Sequence, residues 1–263
     1  MTHTIDDVLR ASAAWVWFPR GSEQQRSHLQ LVRYPTRFGG GVRGSQVDSE
    51  ADAATVVEHA IDRTRAWDES ELRFWTNASD RPDLEADLLG RGAEHIDTVA
   101  VFASRIDSAT IDSAASDVPP EARAEVVRTL EQVREVDAIN VPVWKQQPLD
   151  DEGLRIELDE ITLAYDAGTQ VRVLARLGAD GEAVSTGGCT IVDGFARLWG
   201  AATIEQARGR GAYRAVLVER LRQSAARGAT TALVKGRTAT SAPILARAGF
   251  TKYGEERCYL LRV

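Results

Sequence analysis

Residues 208–214 read Arg-Gly-Arg-Gly-Ala-Tyr-Arg and sit directly before a helical pattern. Two glycines spaced two apart let the main chain approach a ligand closely and aim successive N–H groups at one point. A helix N-terminus contributes about 0.3–1 kcal/mol per neighbouring charge, and up to ~2 when partly buried. Holding a diphosphate therefore takes several amides and some side-chain cations together. From residue 204 to residue 227 there are six arginines (Arg208, Arg210, Arg214, Arg220, Arg222, Arg227) against Glu205 and Glu219, a local balance of +4 in a chain of formal charge −7. That reversal favours one polyanionic ligand at one place over an arginine-rich turn that binds nothing. Two other glycine motifs fit less well. A P-loop needs Gly-Lys-Ser/Thr where Gly211 is followed by Ala212 and Tyr213. A dinucleotide fingerprint needs glycine or alanine where Arg214 stands.

The other reactive side chains narrow the chemistry. All four histidines (His3, His28, His59, His95) lie in the first 95 residues. That argues against a zinc site in the second half and against a triad that relies on a histidine from it, and no metal is expected. Two cysteines, Cys189 and Cys258, are too few for a disulfide framework and fit a reducing cytoplasm. With 263 residues, 43% hydrophobic and 27% charged, the composition is that of an ordinary globular protein. The net negative charge argues against a nucleic-acid or anionic-membrane partner. No apolar run reaches membrane length and no signal pattern opens the chain, so a cytoplasmic location is expected.

The positioning elements follow from periodicity. Residues 108–120, without an aromatic and ending in Pro119-Pro120, read as a linker between a front part, 1–107, and a back part, 121–263. In the back part, helical spacing of Val126, Val127, Leu130 and Val133 predicts a helix over 121–136, and the prolines of 138–148 predict a loop. A second helix is expected over 150–167. The period then changes to two. Strands over 170–177, 183–192 and 195–204, joined by turns at 179–181 and 193–194, predict an antiparallel meander. After the glycine turn comes a helix with Tyr213, Val216, Leu217, Leu221 and Ala225 on one face, ended by Gly228. A buried strand over 230–235, a short helix over 241–248 closed by Gly249, and two strands over 250–254 and 257–263 complete the chain. The class is α+β.

On these residues the back part resembles the GNAT superfamily of acyl-CoA N-acyltransferases. Gln206 to Gly211 is similar to the family's Q/R-x-x-G-x-G/A motif, and Ile244 to Phe250 is similar to its closing helix with a terminal Gly-Phe. The resemblance implies a GNAT fold, with a central, mostly antiparallel twisted sheet flanked by helices. It further implies that acetyl-CoA is the co-substrate, its diphosphate on the amides of Arg208, Gly209, Arg210, Gly211, Ala212 and Tyr213. The pantetheine arm would run along Ala201, Ala202 and Thr203, with Thr238 and Ser241 as further cofactor contacts. The implied reaction is direct acetyl transfer, in a ternary complex, to a primary amine of a small molecule or peptide, by a monomer or homodimer. A lysine-like amine has a pKa about 3.4 units above neutral pH, so deprotonating it costs roughly 4.6 kcal/mol. Yet Leu245 stands where the family commonly has a tyrosine acid, Thr238 where it often has asparagine, and the third meander strand carries no carboxylate. Glu205, Tyr213, Tyr253 and Cys258 are the local substitutes. A non-catalytic acyl-CoA-binding protein is the alternative.

The front part shows a faint repeat at an offset of 157 residues, with Leu88 and Gly92 overlying Leu245 and Gly249. A helix over 53–67 would then take the place of the motif helix. Its entry holds Asp48, Glu50 and Asp52 where the back part has arginines. Those carboxylates would cap their own helix and repel a pyrophosphate. The expectation is a tandem arrangement with a degenerate GNAT-like front half lacking the cofactor motif, set against an unrelated small α+β domain.

Overall fold

The computed structural model describes residues 3–77, 81–178 and 181–263. In chain order the elements are α1 (Ile5–Ala13), β1 (Glu23–Arg26), β2 (Gln30–Arg33), β3 (Val42–Ser45), α2 (Ala53–Ala66), β4 (Glu71–Asn77), α3 (Pro82–Gly90), β5 (Glu94–Arg105) and α4 (Ser108–Ser116). Then follow β6 (Ala122–Val126), α5 (Leu130–Trp144), α6 (Asp151–Asp166), β7 (Gln170–Leu177), β8 (Ala183–Val192), β9 (Phe195–Thr203), α7 (Ala212–Ala226), β10 (Thr231–Arg237), α8 (Ala242–Arg247) and β11 (Thr251–Arg262). The chain divides into two compact units. The back unit is His3 with Ala103–Val234, and the front unit is Thr4–Phe102 with Lys235–Val263. The final strand thus belongs with the front elements: β11 pairs antiparallel with β4, and its Tyr259 and Leu261 join the core built on α2 and α3.

In the back unit the strand order is β10-β9-β8-β7-β6. The expected meander is present as β7, β8 and β9, antiparallel throughout; residues 179–180 of its first turn lie outside the described residues. Helix α7 crosses over and returns the chain in parallel beside β9, pairing Thr231 with Phe195 through Val234 with Leu198. Helices α5 and α6 cover one face of this sheet, with Val133, Val136, Ile139 and Leu154 packed on Leu174 and Ala202. Helix α7 covers the other, where Cys189 Sγ meets Ser224 Oγ at 3.4 Å.

Several boundaries differ from the sequence reading, each for a local reason. The helix expected over 121–136 is a strand, β6, that pairs with β7, followed by α5. A capping box starts α5, with Thr129 Oγ1 accepting from Gln132 N–H and the Gln132 side chain accepting from Thr129 N–H. The helix then runs through Pro142, where a loop was expected, and stops at Lys145 with φ +53°. Residues 108–116, read as linker, form α4, which Asp107 caps by accepting from Thr110 N–H at 2.8 Å and which packs on α7. The two strands expected at the C-terminus are one, β11.

The front unit, with strand order β1-β2-β3-β4-β11-β5, repeats the plan. Strand β3 is antiparallel to β2 and, after α2, parallel to β4, as β9 is antiparallel to β8 and, after α7, parallel to β10. Leu88 and Leu245 are both buried. Gly92 and Gly249, just beyond α3 and α8, share a left-handed φ of +88° and +84°. The internal repeat is structural.

Candidate functional site: an open helix end beside a strand edge

Strand β9 is deflected in mid-course. Thr186 pairs with Ala202 but Gly188 pairs with Trp199, so one residue of β8 lies opposite two of β9. The extra residue falls at Gly200–Ala201, and Gly200 takes φ +60°. A bulge of this kind bends its strand. Pairing with β10 ends at Leu198, just before it. Along residues 199–203, then, β9 is bonded to β8 on one side and has a free edge on the other within this unit. Thr203 and Ala202 are fixed from the β8 side by Ser185, whose Oγ lies 2.9 Å from the Ala202 carbonyl oxygen and 2.8 Å from Thr203 Oγ1.

The chain then makes a single 3-10 turn, 205–207, in which Ala207 N–H donates to Ile204 and Arg208 N–H to Glu205. Gly209 and Gly211 follow with φ +75° and +83°. Gly211 is the N-cap of α7, and no side chain caps the helix. The next main-chain bond is from Ala215 to Gly211. Among the described residues, therefore, the N–H groups of residues 209–214 make no hydrogen bond: six donors in a row at a helix N-terminus. Buried or half-buried amides are normally satisfied, so such a run suits an anionic ligand.

The two glycines have different reasons to be glycine. A Cβ on Gly209 would meet nothing within 4 Å, so that side of the turn faces open space. A Cβ on Gly211 would lie 2.3 Å from Pro119 Cδ. The segment after α4 thus lies directly under the turn, and Arg214 reinforces it by donating to the Asp117 carbonyl at 3.0 Å. This buttress was hidden in the sequence, where 108–120 has a linker's composition.

The arginine cluster disperses in the structure. Arg214 is engaged with Asp117. Arg220 is buried and donates to the Gly188 carbonyl. Arg222 lies 3.8 Å from Glu219, and Arg227 bonds Gln223 and stacks over Tyr165. Arg208 and Arg210 remain exposed at the turn. Arg208 Nε reaches the Thr203 carbonyl at 3.4 Å, linking the turn to the free strand.

The other sequence candidates fall in different surroundings. Ala201, Ala202 and Thr203 lie on the free-edged segment, and Tyr213 is half-buried in the first turn of α7, its ring 5.9 Å from the Arg220 guanidinium. Glu205 is exposed in the 3-10 turn. Thr238, Ser241, Tyr253 and Cys258 all belong to the front unit. There Thr238 bonds the Thr98 carbonyl and Ser241 donates its N–H to Arg237. Cys258 is 1% exposed and burial pushes its thiol up to about 12, which leaves almost no thiolate at neutral pH and argues against it as an acid, base or nucleophile. Leu245 is buried, its Cδ1 filling the space where a Cβ on Gly236 would lie. Among the described residues there is no cluster of three metal-ligating side chains, and no helix is long and apolar enough to cross a membrane.

No protein-family model matches the sequence, and comparison with curated proteins gives no match. Solved structures do match. A GCN5-related N-acetyltransferase from Sphaerobacter thermophilus superposes with a TM-score of 0.67 at 17% identity, over 98% of this chain and 85% of that one. A tandem GNAT protein from the clavulanic acid biosynthesis pathway gives 0.66 at 15% identity, over 94% and 85%. A GCN5-related N-acetyltransferase from Kribbella flavida gives 0.62 at 20% identity, over 91% and 89%. The likeness is one of fold, and it spans both halves of the chain.

Proposed function

We propose that this chain, which has the fold of the tandem GCN5-related N-acetyltransferases, is an acyl-CoA-dependent N-acetyltransferase whose working site is in the back unit. The observation that carries the reading is the run of unbonded amides at 209–214 beside the free edge of β9. The amides of residues 209–213 would hold the coenzyme diphosphate, since the Arg208 N–H is already bonded to Glu205, with the Arg208 and Arg210 side chains adding charge. Residues 201–203 would pair with the pantetheine arm, and a β9 N–H would donate to the thioester oxygen, where negative charge develops during transfer. Acetyl-CoA supplies the acyl group as a thioester; the acceptor is a primary amine.

This chain's own contribution is chiefly to bind and orient. Leu245 offers no proton, Cys258 holds its own, and Glu205 is in solvent, so positioning of the two reactants with water as proton acceptor is the mechanism these residues support. The buried Leu245 also favours a second reading, an acyl-CoA-binding protein without turnover. Calorimetry with acetyl-CoA, followed by thiol release on a panel of amines, separates the two. The proposal expects saturable binding and release that depends on the amine. Binding with no release on any amine supports the second reading, and absence of binding overturns both.

A further inference from the structure

Arg172, on β7 in the back unit, carries a buried guanidinium that the protein leaves unanswered. The residue is 6% exposed and its Nε has no hydrogen-bond partner. Among the described residues its one specific contact is the Trp199 ring, with the guanidinium carbon 5.0 Å from the centroid. Strand alternation places it on the same sheet face as Leu174, under α5 and α6. The packing around it depends on glycines. A Cβ on Gly188, its partner on β8, would come 2.4 Å from the Trp199 ring, so the ring lies across the sheet only because that residue is glycine. Trp199 is held there by its indole N–H donating to Thr190 Oγ1 at 2.9 Å. A Cβ on Gly200 would lie 3.3 Å from Arg172 Nη1, so the guanidinium ends at the β9 bulge, next to Ala201.

The surrounding charges do not neutralise it. Arg220, 1% exposed, lies on the α7 side of the same glycines, with Nη1 3.3 Å from the Gly188 carbonyl oxygen and its own Nε unpartnered. Glu157 on α6 attracts Arg172 but forms no ion pair with it among the described residues. Burial, and secondarily Arg220, hold the Arg172 pKa down to about 10 against the pull of Glu157. A buried cation without a partner is costly, and the planar guanidinium is suited to a carboxylate bound through two parallel N–H···O bonds.

We propose that the amine acceptor carries a carboxylate, and that Arg172 receives it at the β9 bulge beside the strand segment assigned to the acyl arm. The inference rests on the acetyltransferase reading above. Arg172 is then a specificity-determining residue, with Trp199 as the wall of its subsite.

The test compares L-amino acids with their carboxamides on the full chain with acetyl-CoA, and N-acetylated amino acids with their amides by calorimetry without it. The expected result is a preference for the carboxylate of about 100-fold or more in kcat/KM, although the amide's amine is the more easily deprotonated. Arg172→Met should bring that ratio close to one, and Arg172→Lys should retain part of it. A residue that only packs would lower both ligands alike and leave the ratio unchanged, which overturns the proposal. So does an amide that equals its acid in the unsubstituted chain, a comparison that stands even where Arg172→Met fails to fold. Acetyl-CoA calorimetry on the same protein keeps the two claims apart. Cofactor binding without carboxylate preference sinks this inference alone. Carboxylate preference without cofactor binding keeps the carboxylate subsite at Arg172 but overturns the claim that its ligand is an acetyl acceptor, together with the acetyltransferase reading.

Discussion

Helices α2 and α7 occupy the same station in the two halves of the fold, each carrying the chain from one strand to a parallel neighbour. They begin in opposite ways. Asp52 caps α2 with its own carboxylate, accepting from Thr55 N–H at 2.9 Å and from Thr55 Oγ1 at 2.8 Å. Those bonds hold its pKa below the ordinary aspartate value. Helix α7 begins at a left-handed glycine with no cap, and six amides stay unbonded. Under the proposed function, the difference is how one topology serves both as a scaffold and as a binding surface. A helix end that carries its own anion is already satisfied, whereas an open one is completed by an anion from outside.

The comparison is broken most severely by giving α7 the carboxylate that α2 has. Gly209→Asp points a negative charge into open space at the turn, where no protein atom is displaced. Like charges brought together cost several kcal/mol, so acetyl-CoA affinity should fall by about 100-fold or more in calorimetry. Gly209→Asn imposes the same positive φ without the charge and should lose far less. Equal losses in the two variants would mean that backbone strain, not charge, governs the turn.

A smaller effect is expected from Gly211→Ala. The new methyl meets Pro119 and the residue keeps φ +83°, so the turn must move off its buttress. A lower melting temperature and roughly tenfold weaker acetyl-CoA binding should follow. Unchanged affinity would show that the buttress does not set the spacing of the amides.

The smallest effect is at the capped end. Asp52→Asn should leave acetyl-CoA binding unchanged and slightly lower thermal stability at neutral pH. Because the folded-state pKa is depressed, the carboxylate's contribution is complete at neutral pH and is lost as the pH falls through that depressed value. The gap between variant and parent should therefore close on acidification. A gap that widens instead would contradict the capping role.

Much of this contrast was legible in the chain. Glycines at 209 and 211 before a helical pattern marked the open turn, and Asp48, Glu50 and Asp52 marked the closed one, because both signals are local. The meander and the repeat of Leu88 and Gly92 on Leu245 and Gly249 were legible for the same reason. What was not legible depends on tertiary pairing. The helical spacing of Val126, Val127, Leu130 and Val133 draws the expected helix back over residues 122–126, whose pairing with the β7 edge makes them a strand. The linker-like 108–120 became a helix with a proline beneath the turn because α7 was there to pack on. The arginine count suggested a concentrated patch, yet helical spacing sends Arg214, Arg220, Arg222 and Arg227 to different neighbours. Arg172 gave no signal at all, since its meaning lies in Gly188, Trp199 and Gly200 on two adjacent strands.

The most direct measurement is amide nuclear magnetic resonance of the labelled chain titrated with acetyl-CoA. The N–H signals of residues 209–213 should shift strongly and exchange more slowly with solvent on saturation, while those at the start of α2, residues 53–55, stay where they are. Shifts of equal size at both helix ends, or none at 209–213 when the coenzyme is bound, would contradict the assignment of the open turn as the coenzyme's diphosphate site.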